Sequence, residues 1–479
     1  MLAGLAWSLS ACQGGDSGRA VVVDIPGRHA ELSDPIRHDM SQAGQVVLGA
    51  TAQGLVSFDA QGDVAPALAE SWIVADGGQS YIFRLRRAKW ANGATVKAET
   101  VARLLEQRMR ASPDLLAGLR PNVRAMTDRV IEIRLETALP AFIQLLAQPR
   151  LALLEKKGGT GPYEGDIRLR RLYLHPVPEI IEADKTAEER EILPIERRTL
   201  QTGRAAIAMA RFQNGQSDLL LGGGFQDLLL IPATRLGAND VRADPTPGLF
   251  GLAIIGKSSF FADKSVRDAL ARAVDRAQLA RDLNLQGWTT ATTPVPAQLD
   301  LSGPPSVPDW SAAPVETRYA AARATIARWS AANGAPPILR VALPSGAGAT
   351  LLFYRLAADF GRLGLRIDRV AMDEAADIKL IDEIAGFDSA LWYLARLDCD
   401  MGLACDESAS ALLDRARTAE NPDQQSADLV EAERLIVANA GYIPLGMPIR
   451  WSLVSRRLTG YAPSPRGVHP LNRLFKATN

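Results

Sequence analysis

Apolar positions along this chain recur with two different periods, and the switches between them mark out its elements. Tyr81-Ile82-Phe83-Arg84-Leu85-Arg86 and the stretch Val130 to Leu135 alternate, which predicts strands with one buried face. Between them Val96 to Arg110 follows a helical period, with Val101, Leu104, Leu105 and Met109 on one stripe. An apolar segment from Val46 to Phe58 precedes this block, and the glycine cluster Gly158-Gly159-Thr160-Gly161-Pro162 closes it.

Further along, Ile192 to Glu196 reads as a strand, Gly203 to Phe212 as a helix stopped by Asn214-Gly215, and Asp218 to Leu221 as another strand, together a β-α-β unit. After the break at Pro245-Thr246-Pro247-Gly248, the continuous apolar run Leu249 to Ile255 predicts a buried strand. Asp263 is placed to cap a helix from Lys264 to Leu283, whose core stripe is Val266, Leu270, Ala273, Val274 and Leu283. Proline-rich loops fill 294–314. A second alternation follows: strand Leu339 to Leu343, helix Tyr354 to Leu363, strand Ile367 to Val370. A helix from Ala427 to Asn439 then precedes the apolar Tyr442-Ile443-Pro444-Leu445.

Composition narrows the function classes. Hydrophobic residues make up 47% and charged residues 23%, the balance of a chain that folds around cores. Lys plus Arg and Asp plus Glu both number 54, so no net field draws in nucleic acid or an anionic membrane surface. His29, His38, His175 and His469 lie too far apart in sequence for a two-histidine helical metal motif. The acidic residues Asp398, Asp400, Asp406 and Glu407 miss the spacing of a calcium loop. No metal or other cofactor is expected. The three cysteines fall into two groups. Leu9-Ser10-Ala11-Cys12 ends a short apolar start and resembles a bacterial lipobox, although no basic residue precedes the apolar run; the resemblance implies a signal segment and a lipid on Cys12, with a Gly/Ser/Asp tether after it. Cys399 and Cys405 are close enough for a small disulfide loop in an oxidising compartment, or are two unpaired thiols.

One octapeptide suggests a quite different chemistry. Gly251 to Ser258, GLAIIGKS, satisfies the nucleotide-binding pattern G-x-x-x-x-G-K-[ST]. A phosphate-cradling loop follows a strand and needs small or flexible residues between its glycines, yet Leu252, Ala253, Ile254 and Ile255 favour an extended, half-buried strand. The match therefore falls inside a strand. No G-x-S-x-G nucleophile turn occurs either, and no histidine-centred triad can be assembled, so catalysis is not expected.

The region after the octapeptide, Phe261-Ala262-Asp263-Lys264-Ser265-Val266-Arg267-Asp268-Ala269-Leu270-Ala271-Arg272-Ala273-Val274-Asp275-Arg276, resembles the central signature of bacterial extracellular solute-binding proteins of family 5, the dipeptide- and oligopeptide-binding components of ABC importers. Other blocks resemble the same family in order: Gly54-Leu55-Val56, Pro66-Ala67-Leu68-Ala69-Glu70-Ser71-Trp72, Lys89-Trp90-Ala91-Asn92-Gly93, Gly159-Thr160-Gly161-Pro162-Tyr163, Gly215-Gln216-Ser217-Asp218 and Tyr442-Ile443-Pro444-Leu445. The ordered matches run from 54 to about 460, and their joint occurrence is more specific than any one of them.

The resemblance implies an α/β, two-lobed periplasmic binding protein fold of class II type with an inserted α+β subdomain in the first lobe. On that template 1–19 is signal and tether, 20–48 with 159–248 and 452–479 is lobe I, 49–158 is the insert, and 249–451 is lobe II, with Leu249 to Ile255 near a hinge. It also implies capture of a peptide or small solute in an interlobe cleft, delivery to ABC transporter permease subunits, a periplasmic location with membrane attachment through the lipid alone, and a monomer that binds no nucleic acid. A nickel chelate, an oligosaccharide or an opine-like compound is the alternative solute. In peptide-binding relatives an aspartate after a "F/Y-D... W" strand meets the ligand's amino group, and the stretch matched to it here begins at Phe387-Asp388. Trp392, Tyr393, Leu394, Arg396 and Asp398 are therefore the expected ligand contacts, with lobe packing the equal alternative for Trp392 and Tyr393, and with Asp398 suited to an amino group and Arg396 to a carboxylate.

Overall fold

A computed structural model describes residues 18–36, 41–156, 158–177, 192–233, 237, 239–285, 287–299, 301–419 and 421–475. Cys12, His38 and all but the last two residues of the expected 1–19 leader lie outside the described residues. No helix among the described residues is long and apolar enough to cross a membrane.

Two sheets dominate. The larger has seven strands in the order Val241–Asp244, Arg450–Val454, Leu219–Gly224, Val21–Pro26, Arg198–Gly203, Arg171–Pro176, Tyr163–Arg168. Its centre is parallel: Val21–Pro26 pairs in parallel with Arg198–Gly203 on one side and Leu219–Gly224 on the other, and helix Ala205–Gln213 makes the crossover. The β-α-β unit exists, but its first strand begins at Arg198; Pro194 cannot donate to a ladder and sits in a 3-10 turn, Pro194–Glu196.

The second sheet has five strands, ordered Ile367–Val370, Leu339–Ala342, Ile378–Ile384, Gly248–Ile254, Tyr442–Gly446. Every residue of Gly248–Ile254 is buried, because antiparallel neighbours flank it on both edges. Its Gly251 is needed for close approach, since a Cβ there would lie 2.5 Å from the Tyr442 ring. The octapeptide is thus strand and turn, and helix Lys264–Ala273 starts only after Asp263, whose carboxylate accepts from Ser265 N–H at 2.8 Å. The expected single helix to Leu283 is two helices. The chain leaves helical geometry at Val274, and Asp275 caps the second, Arg276–Leu283, by accepting from Gln278 N–H at 3.0 Å.

A third sheet, Ala69–Ala75, Ser80–Leu85, Val130–Arg134, Asn122–Thr127, is wholly antiparallel and carries helix Ala98–Arg110 on one face. The expected stripe, Val101, Leu104, Leu105 and Met109, is buried together with Ala98, Ala102 and Arg108, and the sheet answers with Tyr81, Phe83, Ile131 and Ile133. This subdomain is threaded between segments of the seven-stranded sheet, yet its apolar core does not join theirs. Its Leu115, Leu116, Leu145 and Leu146 form one continuous cluster with Phe387, Leu391, Trp392 and Leu413, which lie between strands Ile378–Ile384 and Tyr442–Gly446 of the five-stranded sheet. Val21, Val23, Leu174 and Leu200 of the seven-stranded sheet belong to a separate cluster.

Candidate functional site

The chain crosses between the two large sheets twice, at 245–247 and 447–449, and the crossings run side by side. Thr246, fully buried, donates from Oγ1 to the carbonyl of Pro448 at 3.1 Å and so ties one crossing to the other. Just beyond, Arg450 donates from Nη1 to Asp382 Oδ1 at 2.9 Å and from Nη2 to the Asp382 carbonyl at 3.1 Å, joining the first residue of a strand in one sheet to the middle of a strand in the other. Burial raises the Asp382 carboxyl above its ordinary range, and the Arg450 guanidinium opposes that rise. Arg466 reaches the Ala385 carbonyl at 3.2 Å, Gln144 Oε1 at 3.1 Å and the carboxylate of Asp388, so the C-terminal segment, lobe II and the insert meet at one guanidinium.

A cavity of about 1410 Å³ lies to one side of this junction. Its walls come from the segments around Leu32, Gln45 and Thr51, from the turn Arg86 to Gly93, from Gly158 to Gly165, and from Gly467 to Arg473. No wall residue falls within 249–451. Two blocks that carried the family resemblance, Lys89-Trp90-Ala91-Asn92-Gly93 and Gly159-Thr160-Gly161-Pro162-Tyr163, therefore converge on one space. The backbone of the second is pressed against the end of helix Gln42–Thr51: a Cβ on Gly159 would lie 2.4 Å from the Thr51 carbonyl oxygen, and one on Gly161 2.4 Å from Ala52 N. Glycine at both positions lets the two backbones meet there. Among the described residues no cluster of His, Cys, Asp and Glu is arranged to hold a metal ion.

The five residues expected to contact solute lie elsewhere. Phe387 onward is no strand: the strand is Ile378–Ile384, and after a turn Ser389 caps a short helix, Ala390–Ala395, that plugs the seam between insert and lobe II. Trp392, Tyr393 and Leu394 are buried there, the Trp392 and Tyr393 rings meeting edge to face with centroids 5.0 Å apart. Burial pushes the Tyr393 hydroxyl well above its ordinary pKa, and its oxygen has no hydrogen-bond partner among the described residues. Arg396 lies over the Trp392 ring, donates from Nε to Glu383 Oε2 at 2.8 Å and bonds the Asp114 carbonyl of the insert. Burial acts to raise Asp114, but its bidentate pairing with Arg150 at 2.8 and 2.9 Å, aided by Arg396, wins and holds this carboxyl below the usual range. Asp398 accepts from Cys399 N–H at 2.7 Å, from Arg417 Nη2 at 2.9 Å and from Ser410. None of the five side chains lines the cavity. Cys399 and Cys405 are joined in a disulfide that closes the loop beside them.

Reading the sequence missed the cavity walls as a site. Their signal was present in the two motif blocks, but what brings both to one space is the return of the chain alongside 51–53 at 153–161, which no local period reports.

A doubly crossed pair of α/β lobes, one carrying an insert, with a large space of mixed polar and apolar lining beside the crossings, is the two-lobed fold seen in periplasmic binding proteins. The pattern described as bacterial extracellular solute-binding proteins, family 5 (middle region) matches residues 63–169. Among characterised relatives, the probable deoxycholate-binding periplasmic protein of Escherichia coli is 32% identical over 140 residues, 25% of this chain and 26% of that one. The periplasmic oligopeptide-binding protein OppA of Salmonella typhimurium is 26% identical over 288 residues, 52% of this chain and 51% of that one. The matched stretches thus span about half or less of those relatives' lengths. The solved structure of OppA from Burkholderia pseudomallei superposes with a TM-score of 0.78 at 19% identity, covering 95% of this chain and 98% of that one. Residues 63–169 thus carry the family 5 pattern, and the chain as a whole shares the fold of the solved OppA.

Proposed function

We propose that this chain is the solute-capturing component of an ABC importer, taking a peptide or related small solute into the 1410 Å³ cavity and handing it to permease subunits without breaking a bond in it. The observation that carries this reading is the cavity's position: it opens between lobe I and an insert whose apolar core is continuous with lobe II, so rotation about the paired crossings changes its width. Closure then amounts to a population shift paid by the difference in affinity between the two forms.

On this reading lobe I is 20–48, 159–248 and the C-terminal segment, the insert is 49–158, and lobe II runs from 249; sheet membership favours placing the second boundary at the crossing 447–449, just before Arg450. Trp392, Tyr393, Leu394, Arg396 and Asp398 serve to hold the insert against lobe II. Lipidation at Cys12, a periplasmic location and a monomeric state complete the proposal.

The test is thermal unfolding of the purified protein against a peptide library and a panel of non-peptide solutes, since a ligand that binds only the folded state raises Tm by mass action. A rise of several degrees with one compound class is the expected result. ATP turnover that is lost in Lys257→Ala would instead restore the nucleotide-enzyme reading and overturn this one.

A further inference from the structure

The cavity walls are unequal in charge. They hold five Arg and Lys side chains against three Asp and Glu. One of those acids, Asp59, is already committed to its own turn, its Oδ1 accepting from Gln61 N–H and Asp63 N–H, each at 2.9 Å. On the insert side, strand Ser80–Leu85 delivers Arg86 to the wall, and the turn closed by Trp90 N–H on the Ala94 carbonyl at 2.9 Å holds Lys89 beside it. Arg86 is half-buried, and its Nε is enclosed with no hydrogen-bond partner among the described residues. The segment packed against the Lys89 turn, where a Cβ on Gly158 would lie 2.5 Å from Ala91 Cβ, carries a second enclosed and unpartnered group, the Thr160 hydroxyl, between the close-packed Gly159 and Gly161. An unanswered guanidinium N–H and an unanswered hydroxyl are costly to bury, and both become satisfied when an anionic oxygen enters.

We infer that the solute of this cavity carries an anionic group, a carboxylate or a phosphate, held by Arg86 with Lys89 nearby and Thr160 donating from the adjoining wall. This rests on the solute-capture reading above and narrows it: the solute bears an anionic group, and one of the same size without any such group is rejected. The guanidinium's planar fork matches a two-oxygen anion, and Lys89 adds a point charge that tolerates either geometry.

The experiment measures binding of matched pairs by calorimetry: trialanine beside its C-terminal amide, glutarate beside glutaramide, glycerol 3-phosphate beside glycerol. The expected result is that at least one acid binds ten times or more tightly than its neutral partner, that Arg86→Gln and Lys89→Gln each cut that preference at least tenfold, and that Arg86→Lys restores part of it. The carboxylate and phosphate arms separate the two sources of charge. Circular dichroism melts of each variant identify any loss that comes from unfolding, and Lys89→Gln, at a solvent-facing turn, provides the reading if Arg86→Gln does not fold. Acids and neutral partners binding alike, or a preference that survives both variants, overturns the inference and leaves solute capture standing. Neutral or cationic peptides binding while every acid fails does the same. If no member of the pairs and no member of a mixed peptide library binds, solute capture itself falls, and the inference with it.

Discussion

Thr246 joins the two crossing segments through one hydrogen bond, and the bond is fully enclosed. Thr246→Val keeps the shape and removes the donor, leaving the Pro448 carbonyl unanswered; we expect a loss of about 1 to 3 kcal/mol in urea denaturation. A variant as stable as the parent would show that this bond contributes nothing to the hinge. Glu433 gives a pH-dependent case. Burial raises its carboxyl above the ordinary range, against the Ser306 N–H that Oε2 accepts at 2.9 Å, while Oε1 has no partner among the described residues. The folded chain therefore holds this proton more tightly than the unfolded chain does. Its contribution to stability declines as pH rises from the unfolded value, about 4.3, through the raised folded value, and stays reduced above it. Glu433→Gln removes that decline, so the Tm difference between variant and parent should move in the variant's favour between about pH 4 and about pH 7. A difference that is flat or moves the other way contradicts the assignment.

At the scale of elements, the short helix Ala390–Ala395 is the piece whose role differs most from its sequence. Phe387-Asp388 and Trp392 resemble a strand ending in ligand contacts, and the composition alone does not separate that from a helix, because aromatic and aliphatic residues fill cleft walls and cores alike. The decisive factor is remote: Leu115, Leu145 and the Asp114–Arg150 pair arrive from the insert and provide the apolar seam that the helix fills. Trp392→Ala should accordingly cost about 3 to 5 kcal/mol in denaturant unfolding, the price of a large core cavity. Near-parental stability with lost solute binding would return Trp392 to the cleft. Other elements were legible because their own residues decide them. The stripe Val101, Leu104, Leu105, Met109 and the apolar run Leu249 to Ile255 each satisfy one period without outside help, and the structure places both as read. The break at Val274-Asp275 was not legible from the stripe, since apolar residues continue in phase across it and only the Asp275 cap reveals the new start. The site was legible as motifs and illegible as a place.

For the whole molecule, the connection of the chain and the continuity of its core point in different directions. The insert leaves and re-enters lobe I by sequence, with Gln53 bridging Leu153 at its root, yet its apolar interior continues into lobe II. The two large sheets also share an apolar cluster, Trp451 and Leu453 with Phe250 and Leu445, but the insert's main buried cluster extends only into lobe II, so the insert and lobe II should move together. Spin labels at three exposed positions test this: Gln107 on the insert, Asp414 on lobe II and Asn214 on lobe I. The distance from 107 to 414 should stay fixed when a solute that raises Tm is added, while that from 107 to 214 shortens. The reverse pattern would assign the insert to lobe I.

Three of the six residues in the paired crossings are prolines, Pro245, Pro247 and Pro448, and each has its φ locked near one value. Each proline keeps only its ψ, and Thr246 and Met447, which precede prolines, are held to extended geometry, so few torsions are left to turn. With Phe225 and Gln226 also packed on Gly346 and Gly348, the closure proposed above would follow a narrow arc. Whatever surface reads this molecule would meet one of two definite outlines, filled or empty, with few intermediate shapes to confuse them.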